Sequence, residues 1–114
     1  MTDFQRDMEV IIQNTGILNN GTIRFVFRYP SRFEGEVDEL ELGTRAGNTL
    51  KRAGIFKIQD IGKKWNRLDV RGSGVKTIKE IKNKYLAYYY DKLDDEERKD
   101  FWRDTVAETE TMAR

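Results

Sequence analysis

The chain has 114 residues, enough for one compact domain, and its lack of cysteine and histidine excludes disulfides, thiolate nucleophiles, histidine bases and the usual zinc sites. The net charge of +1 conceals a segregation, because residues 45–92 carry thirteen Lys and Arg against four Asp and Glu, whereas residues 1–44 and 93–114 each carry four against eight. A basic centre suits a polyanionic partner, although a well-solvated domain with acidic flanks has the same pattern.

A short amphipathic helix is predicted at the start of the chain. Thr2 and Gln5 have the spacing of a capping box, in which each side chain bonds the backbone N–H of the other residue. Apolar side chains then recur at helical spacing, at Phe4, Met8, Ile11 and Ile12. The pattern ends near Gly16, a residue type that commonly follows the last turn of a helix.

The next stretch, residues 22–29, predicts a β-strand. In its sequence TIRFVFRY, one face is formed by Ile23, Phe25, Phe27 and Tyr29, which alternate with Arg24, Val26 and Arg28. A single strand leaves its backbone unpaired, so we expect a partner, either residues 9–13 as the other arm of a β-hairpin or another molecule. Pro30 then interrupts the chain, and residues 1–36 are interpreted as an N-terminal extension of unknown function, containing a helix, a strand or both.

A second helix is predicted over about residues 45–53, with Thr44 as its N-cap and Gly54 directly after its end. Its apolar stripe consists of Ala46, Leu50 and Ala53. The opposite face carries guanidinium, amide and hydroxyl groups, which belong to Arg45, Asn48, Thr49 and Arg52. Such a face has the donors and acceptors that contact nucleic acid.

Residues 55–68 predict further core. A tight turn or short helix is favoured by the apolar residues Ile55, Phe56, Ile58 and Ile61. Trp65 and Leu68 continue the apolar pattern, and packing in the core is favoured for both over stacking on a ligand.

Gly72, Ser73 and Gly74 precede another predicted helix, VKTIKEIKNKY, whose apolar positions are Val75, Ile78, Ile81 and Tyr85. Its outward positions are Lys76, Thr77, Lys79, Glu80 and Lys82. Free N–H groups at the helix start, beside Lys76 and Thr77, favour a phosphate-binding site. The glycines by themselves fit a tight turn equally well.

The tyrosines at positions 85, 88, 89 and 90 suit either a stacking platform for single strands or a buried helix face, and burial of Tyr85, Tyr88 and Tyr89 is favoured. Residues 93–114 predict a final helix, which is capped by Asp94 with Glu97 three residues later. We expect this helix to pack on the preceding domain before a frayed tail, through Leu93, Phe101, Trp102 and Val106.

Over about residues 37–84 the sequence resembles the C-terminal domain of the bacterial RNA polymerase α subunit. The shared pattern consists of the lead-in VDELEL, R-x-x-N-x-L-K from Arg45 to Lys51, the turn from Ile58 to Ile61, and G-x-K-[ST]-[IL]-x-E-I-K from Gly74 to Lys82. The resemblance implies a mainly α fold, a compact helix-hairpin-helix-like domain of four to five short helices over residues 37–92. It also implies binding to the minor groove of A/T-rich duplex DNA and docking of transcription activators.

The resemblance also implies two groups of DNA-binding residues, carried over by position. Arg45, Asn48 and Thr49 fall on the groove-facing set, and arginine suits the strong negative potential of a narrow A/T minor groove. The second set consists of Gly74, Lys76 and Thr77, which would hold phosphates. The sequence departs from the family at two positions near these sets: Gly47 replaces the usual alanine, and Val75 stands where a second basic residue is common.

We therefore expect a DNA-binding module that acts in transcription, with double-stranded DNA as its partner and RNA polymerase or transcription factors as further partners. No run of eighteen apolar residues is present, so we expect no membrane contact and a cytoplasmic, nucleoid-associated location. We expect no enzyme, cofactor or metal site, since no pair of carboxylates has a spacing that suits acid–base catalysis. The alternative is a protein–protein interaction module of the same fold that docks transcription machinery without DNA affinity, with residues 22–29 pairing an edge strand.

Overall fold

The computed structural model describes residues 1–17, 23–64 and 74–112, and the described part is mainly α-helical. Its helices are α1 (Asp3–Thr15), α2 (Thr44–Arg52), α3 (Ile58–Lys63), α4 (Val75–Asp91) and α5 (Asp95–Met112), with two 3-10 helices at Pro30–Phe33 and Val37–Leu40. The predicted mainly α fold is confirmed. Among the described helices, none combines the length and the apolar character that a membrane span requires.

The chain divides into two compact units. The first unit comprises residues 1–29 and 90–114, and the second comprises residues 30–89. The domain boundaries drawn from the sequence, at 36/37 and 92/93, stay a prediction. The predicted core residues Trp65 and Leu68 and the glycine-containing loop at 72–73 lie outside the described residues.

In the first unit, α1 begins and ends as its sequence predicts. Thr2 Oγ1 accepts the Gln5 N–H at 3.1 Å, and Gln5 Oε1 accepts the Thr2 N–H at the same distance, so the capping box is complete. At the other end Gly16 has a φ of 67° and donates its N–H to the Ile12 carbonyl at 2.8 Å. This left-handed conformation favours glycine and stops the helix.

The strand predicted for residues 22–29 is not found in its described part, and the alternative hairpin with residues 9–13 is wrong because those residues belong to α1. The backbone at 23–29 instead runs along α5. Arg24 N–H donates to Thr109 Oγ1 at 2.8 Å, and Val26 N–H donates to Thr105 Oγ1 at 3.2 Å. The two buried threonines are one helical turn apart on α5, so their hydroxyls meet alternate backbone donors of an extended segment.

Aromatic rings fill the core of the first unit. The Phe4 side chain is only 1% exposed, and its ring lies within 6.5 Å of four others, those of Phe25, Tyr90, Phe101 and Trp102. Phe25, from the extended segment, stacks on Phe101 of α5 at 6.1 Å. The alternation in the described residues 23–28 therefore reflects half-buried Ile23, Phe25 and Phe27 beside exposed Arg24 and Arg28, and apolar packing supplies most of the favourable free energy here.

Tyr90 joins three elements of the first unit. Its hydroxyl donates to Asp7 Oδ2 of α1 at 2.5 Å and accepts the indole N–H of Trp102 at 2.8 Å. The Arg98 guanidinium lies 4.4 Å from the centre of the ring. Burial raises the pKa of Tyr90, and the hydrogen bond to Asp7 raises it further.

The α5 helix starts at the predicted capping box. The Asp94 N–H donates to the Glu97 side chain at 3.0 Å, and the Glu97 N–H donates to the Asp94 side chain at 2.8 Å.

In the second unit, Phe33 is stacked on two tyrosines of α4. Its ring centre is 4.3 Å from that of Tyr85 and 4.5 Å from that of Tyr89, with interplanar angles of 8° and 12°. Burial raises the pKa of Tyr85 to about 12. The preference for buried tyrosines over a stacking platform is thus confirmed at positions 85 and 89, while half-buried Tyr88 donates its hydroxyl to Glu39 at 2.9 Å.

The segment before α2 pairs with the segment between α2 and α3. Val37 N–H donates to the Phe56 carbonyl at 3.0 Å, and Ile58 N–H donates to the Gly35 carbonyl at 2.8 Å, which forms an isolated antiparallel bridge. Around this bridge the core includes Val37, Leu40, Leu50, Ile55, Ile58, Ile61 and Ile81. Phe56, predicted to be in the core, is 55% exposed, because successive side chains of the extended segment at the bridge point to opposite sides and the preceding Ile55 is the one that is buried.

Replacing Thr105 with valine tests whether helix hydroxyls hold the extended segment. The substitution keeps the shape of the side chain but leaves the half-buried Val26 N–H without its acceptor, which lowers the unfolding free energy by about 1 kcal/mol. Thr111→Val is the matched control, since Thr111 is exposed on the same helix and bonds only the Ala107 carbonyl. Urea unfolding followed by circular dichroism measures both. Equal stability of the two variants would contradict the proposed role of Thr105.

Candidate DNA-binding surface

The α2 helix begins one residue earlier than the sequence suggests. Its N-cap is Gly43, whereas Thr44, the predicted cap, is the first helical residue and makes no cap hydrogen bond. The Gly43 N–H donates to Glu80 Oε2 of α4 at 2.7 Å. The prediction failed because the acceptor comes from α4, 37 residues away, and this carboxylate also stabilises the positive end of the α2 dipole.

The C-terminal end of α2 forms the predicted glycine stop. Gly54 has a φ of 76° and donates its N–H to the Lys51 carbonyl at 3.0 Å, while Ile55 N–H donates to the Leu50 carbonyl at 2.9 Å. These two bonds are the pair that defines a Schellman motif. They turn the backbone sharply, so that Ile55 follows Leu50 into the core while the preceding turn of α2 stays at the surface.

One face of α2 carries the predicted groove-contacting residues and a further lysine. Four exposed side chains line a surface depression of about 470 Å³, namely Arg45, Asn48, Lys51 and Arg52. The three cations make no ion pair with any residue of 1–17, 23–64 or 74–112. Lys51 was not among the predicted contacts, although its position three residues after Asn48 places it on the same face.

Thr49, which the sequence placed on this polar face, points into the core. It is 2% exposed, and its hydroxyl donates to the Arg45 carbonyl one turn earlier at 2.9 Å. Ala46 and Leu50 are buried on the same side of the helix, three residues before it and one after it. The side chain of Thr49 therefore packs the helix that displays Arg45 and Asn48.

At the start of α4, the buried side chains differ from those that the sequence predicts. Thr77 is 8% exposed and Val75 is 75% exposed, the reverse of the expected arrangement. The buried stripe runs through Thr77, Ile81 and Tyr85 at steps of four residues, which align along one side of a helix. Gly74 and Lys76 are exposed as predicted, and the Gly74 carbonyl accepts the Thr77 N–H at 3.1 Å.

Glu80 connects the two predicted groups of residues. It lies one turn after Lys76 on α4, and its carboxylate bonds Gly43, two residues before Arg45. The bond brings the first turn of α2 beside the first turns of α4. Across the described residues, no group of three or more Asp or Glu side chains is arranged to hold a metal ion. The surface thus offers cations, an amide and backbone N–H groups, which are the usual donors to DNA.

Comparison with protein families gives a match to the C-terminal domain of the bacterial RNA polymerase alpha chain, over residues 29–86. The matched range agrees closely with the second compact unit, residues 30–89. It includes Phe33 and Glu36, the first residue of the bridge, which both precede the range of the sequence resemblance. No solved structure was found to match the protein.

Two glycines next to this surface differ in backbone conformation, which gives a matched pair of alanine substitutions. A Cβ on either Gly47 or Gly54 meets no other heavy atom within 4 Å, but only Gly54 has a positive φ, of 76°. Gly47→Ala should raise the unfolding free energy by about 0.5–1 kcal/mol, because alanine favours the helix interior. Gly54→Ala should lower it by about 1–2 kcal/mol because of the left-handed backbone. Urea titration measures both, and a destabilising Gly47→Ala would contradict the open environment.

Proposed function

Since the protein belongs to the family of the C-terminal domain of the bacterial RNA polymerase alpha chain, we propose that its second unit binds the minor groove and phosphates of A/T-rich duplex DNA. The family is a transcription-related DNA-binding or interaction domain and not a catalytic one. The observation that carries the proposal is the exposed set of cations on α2 that pair with no described residue, together with one amide, around a depression of about 470 Å³.

Arg45 and Asn48 are proposed to enter the minor groove. A narrow A/T-rich groove concentrates negative potential, so an arginine with no carboxylate partner gains more there than one already paired. The floor of the groove presents the acceptors N3 of adenine and O2 of thymine, to which the Asn48 amide can donate. The choice of Arg45 is supported by its exposure and by the lack of an ion pair within the described ranges.

Lys76 and the Gly74 N–H are proposed to hold the phosphate backbone. Both residues are exposed at the start of α4, a 17-residue helix whose N-terminal dipole favours an anion. Thr49 and Thr77, which the resemblance also implied, are buried, so we assign their side chains to packing and leave them out of the proposed contacts. Lys51 and Arg52 complete the proposed cationic surface, because both line the depression on α2.

The charge of the second unit agrees with this assignment. Residues 30–89 carry thirteen Lys and Arg against eight Asp and Glu, a formal charge of +5, while the remaining residues carry eight against twelve. Several of these acids have partners inside the unit, since Glu36 pairs with Lys57 and Glu80 accepts the Gly43 N–H. The cations near the α2 depression therefore remain available for a polyanion.

A protein-docking role in transcription is the second candidate, since the family implies RNA polymerase or transcription factors as partners. Phe56 favours it, because a phenylalanine that is 55% exposed can anchor a protein interface. Titration against A/T-rich and G/C-rich duplexes at two salt concentrations separates the two roles. The absence of salt-sensitive binding to either duplex would leave the docking role as the better assignment.

Arg45→Ala should weaken binding to an A/T-rich duplex at least about tenfold, because it removes both the charge and the fork of donors in the groove. Arg6→Ala is the matched control, since it removes the same charge from an exposed arginine of α1. Fluorescence anisotropy with a labelled A/T-rich duplex measures both variants. Unchanged affinity of Arg45→Ala, or an equal loss in both variants, would refute the minor-groove role of Arg45.

Lys76→Ala should weaken binding to A/T-rich and G/C-rich duplexes equally, because a phosphate contact does not distinguish the bases. It should also reduce the slope of log affinity against log salt by about 0.9, the effect of one lost phosphate contact. Lys99→Ala in α5 serves as the control with the same change in net charge. An unchanged slope, or a loss restricted to the A/T-rich duplex, would contradict a phosphate contact at Lys76.

A further inference from the structure

The first unit contains a groove between α1 and α5 with a volume of about 760 Å³. Apolar side chains line much of it, including Val10, Ile11, Trp102, Val106 and Ala107. On α5 the lining positions follow steps of three and one residues from 95 to 110, so the groove runs along one face for nearly the whole helix. Val10 is 50% exposed, which leaves part of this apolar surface in contact with water.

The polar groups at the base of the α1–α5 groove bond one another. The Tyr90 hydroxyl uses both its donor and an acceptor position, on Asp7 and on the Trp102 indole. The Arg98 guanidinium pairs with Asp3 at 3.3 Å and covers the Tyr90 ring. A small-molecule site needs a few convergent polar groups that remain available to the ligand. The groove is therefore better suited to an apolar surface of a macromolecule.

The charges along the edge of the groove favour a basic occupant. Lys99 pairs with Glu96 at 3.5 Å, and Arg103 pairs with Asp100. By contrast, Asp95 and Glu110 form no ion pair with any described residue, and they lie at opposite ends of the lining stripe. The first unit as a whole carries a formal charge of −4, with eight Lys and Arg against twelve Asp and Glu. An occupant with cations at both ends complements these carboxylates.

The length of the groove suits a helix. Asp95 and Glu110 are separated along α5 by about 22 Å at 1.5 Å per residue, which corresponds to a partner helix of about four turns. An amphipathic helix that lies between two others buries an apolar stripe at steps of three and four residues. We propose that the α1–α5 groove binds a basic amphipathic helix of a partner protein, about fifteen residues long, with Lys or Arg near both ends.

This surface is distinct from the proposed DNA-binding surface. The residues that line the groove all belong to the first unit, and none of them lies within the family match at residues 29–86. The lining residues of α1 precede the match, and Tyr90 and those of α5 follow it. The opposite net charges of the two units also imply different partners. The proposal therefore does not depend on DNA binding by the second unit, and each is tested separately.

The test uses the full-length protein and a synthetic fifteen-residue helical peptide with leucines at steps of three and four residues and two lysines at each end. We expect saturable binding in fluorescence anisotropy, and at least about tenfold weaker binding when glutamates replace the terminal lysines. Val10→Ser should weaken binding of the lysine-containing peptide at least about fivefold, because it removes an apolar contact from the groove. Gln13→Ser is the matched control, since Gln13 is exposed on the same helix but does not line the groove.

The charge requirement is tested by Asp95→Asn together with Glu110→Gln, and Glu108→Gln is the control outside the groove. The double variant should lose most of the preference for terminal lysines over glutamates, and the control should retain it. Circular dichroism melts establish that each variant is folded. Equal peptide affinity of Val10→Ser and Gln13→Ser, no peptide binding, or a dimer of the protein that closes the groove in sedimentation would overturn the proposal.

Discussion

The hydrogen bond from the Gly43 N–H to the Glu80 carboxylate fixes the arrangement of the proposed DNA-binding surface. It joins the start of α2 to the second turn of α4 at 2.7 Å, so the two segments with exposed cations keep one position relative to each other. A charged acceptor strengthens this bond and satisfies a backbone donor that α2 itself leaves unpaired. Without a side-chain cap of its own, α2 depends on α4 for its first turn.

The same requirement, that backbone donors find acceptors, shapes the first unit in a different way. Residues 23–29 are extended but have no neighbouring strand among the described residues, and two buried threonine hydroxyls of α5 take the place of a β-ladder. Threonines four residues apart suit this role because a helix rises by about 6 Å over four residues, close to the two-residue repeat of an extended segment. The aromatic rings of Phe25 and Phe101 then hold the segment against α5.

Local signals in the sequence were sufficient for both ends of α1, the start of α5 and the end of α2, whereas the start of α2 and the faces of the helices required the tertiary structure. The capping boxes at Thr2 and Asp94 involve residues only three apart, and the stop at Gly54 depends on one backbone conformation. The inner face of α4 was misassigned because Val75 and Thr77 are both compatible with Ile81 and Tyr85 at helical spacing. Only packing against the rest of the second unit decides between them.

The alternation in residues 22–29 shows a further limit of the sequence, since it indicates which side chains face the core but not which groups accept the backbone hydrogen bonds. Of the candidate site, residue identity and spacing therefore predicted the exposed Arg45, Asn48 and Lys76, while the Gly43 N-cap and the burial of Thr49 and Thr77 followed from packing.

The opposite charges of the two units give the small net charge a functional meaning. A duplex requires cations that are free to pair with phosphates, and those of the α2 depression have no ion-pair partner among the described residues. A basic helix requires free carboxylates beside apolar surface, and Asp95 and Glu110 of the first unit likewise have no partner in the described ranges. A single surface cannot meet both requirements, because cations that attract phosphate repel a basic peptide. Segregation of charge along the sequence is thus the condition under which 114 residues can hold both proposed binding surfaces.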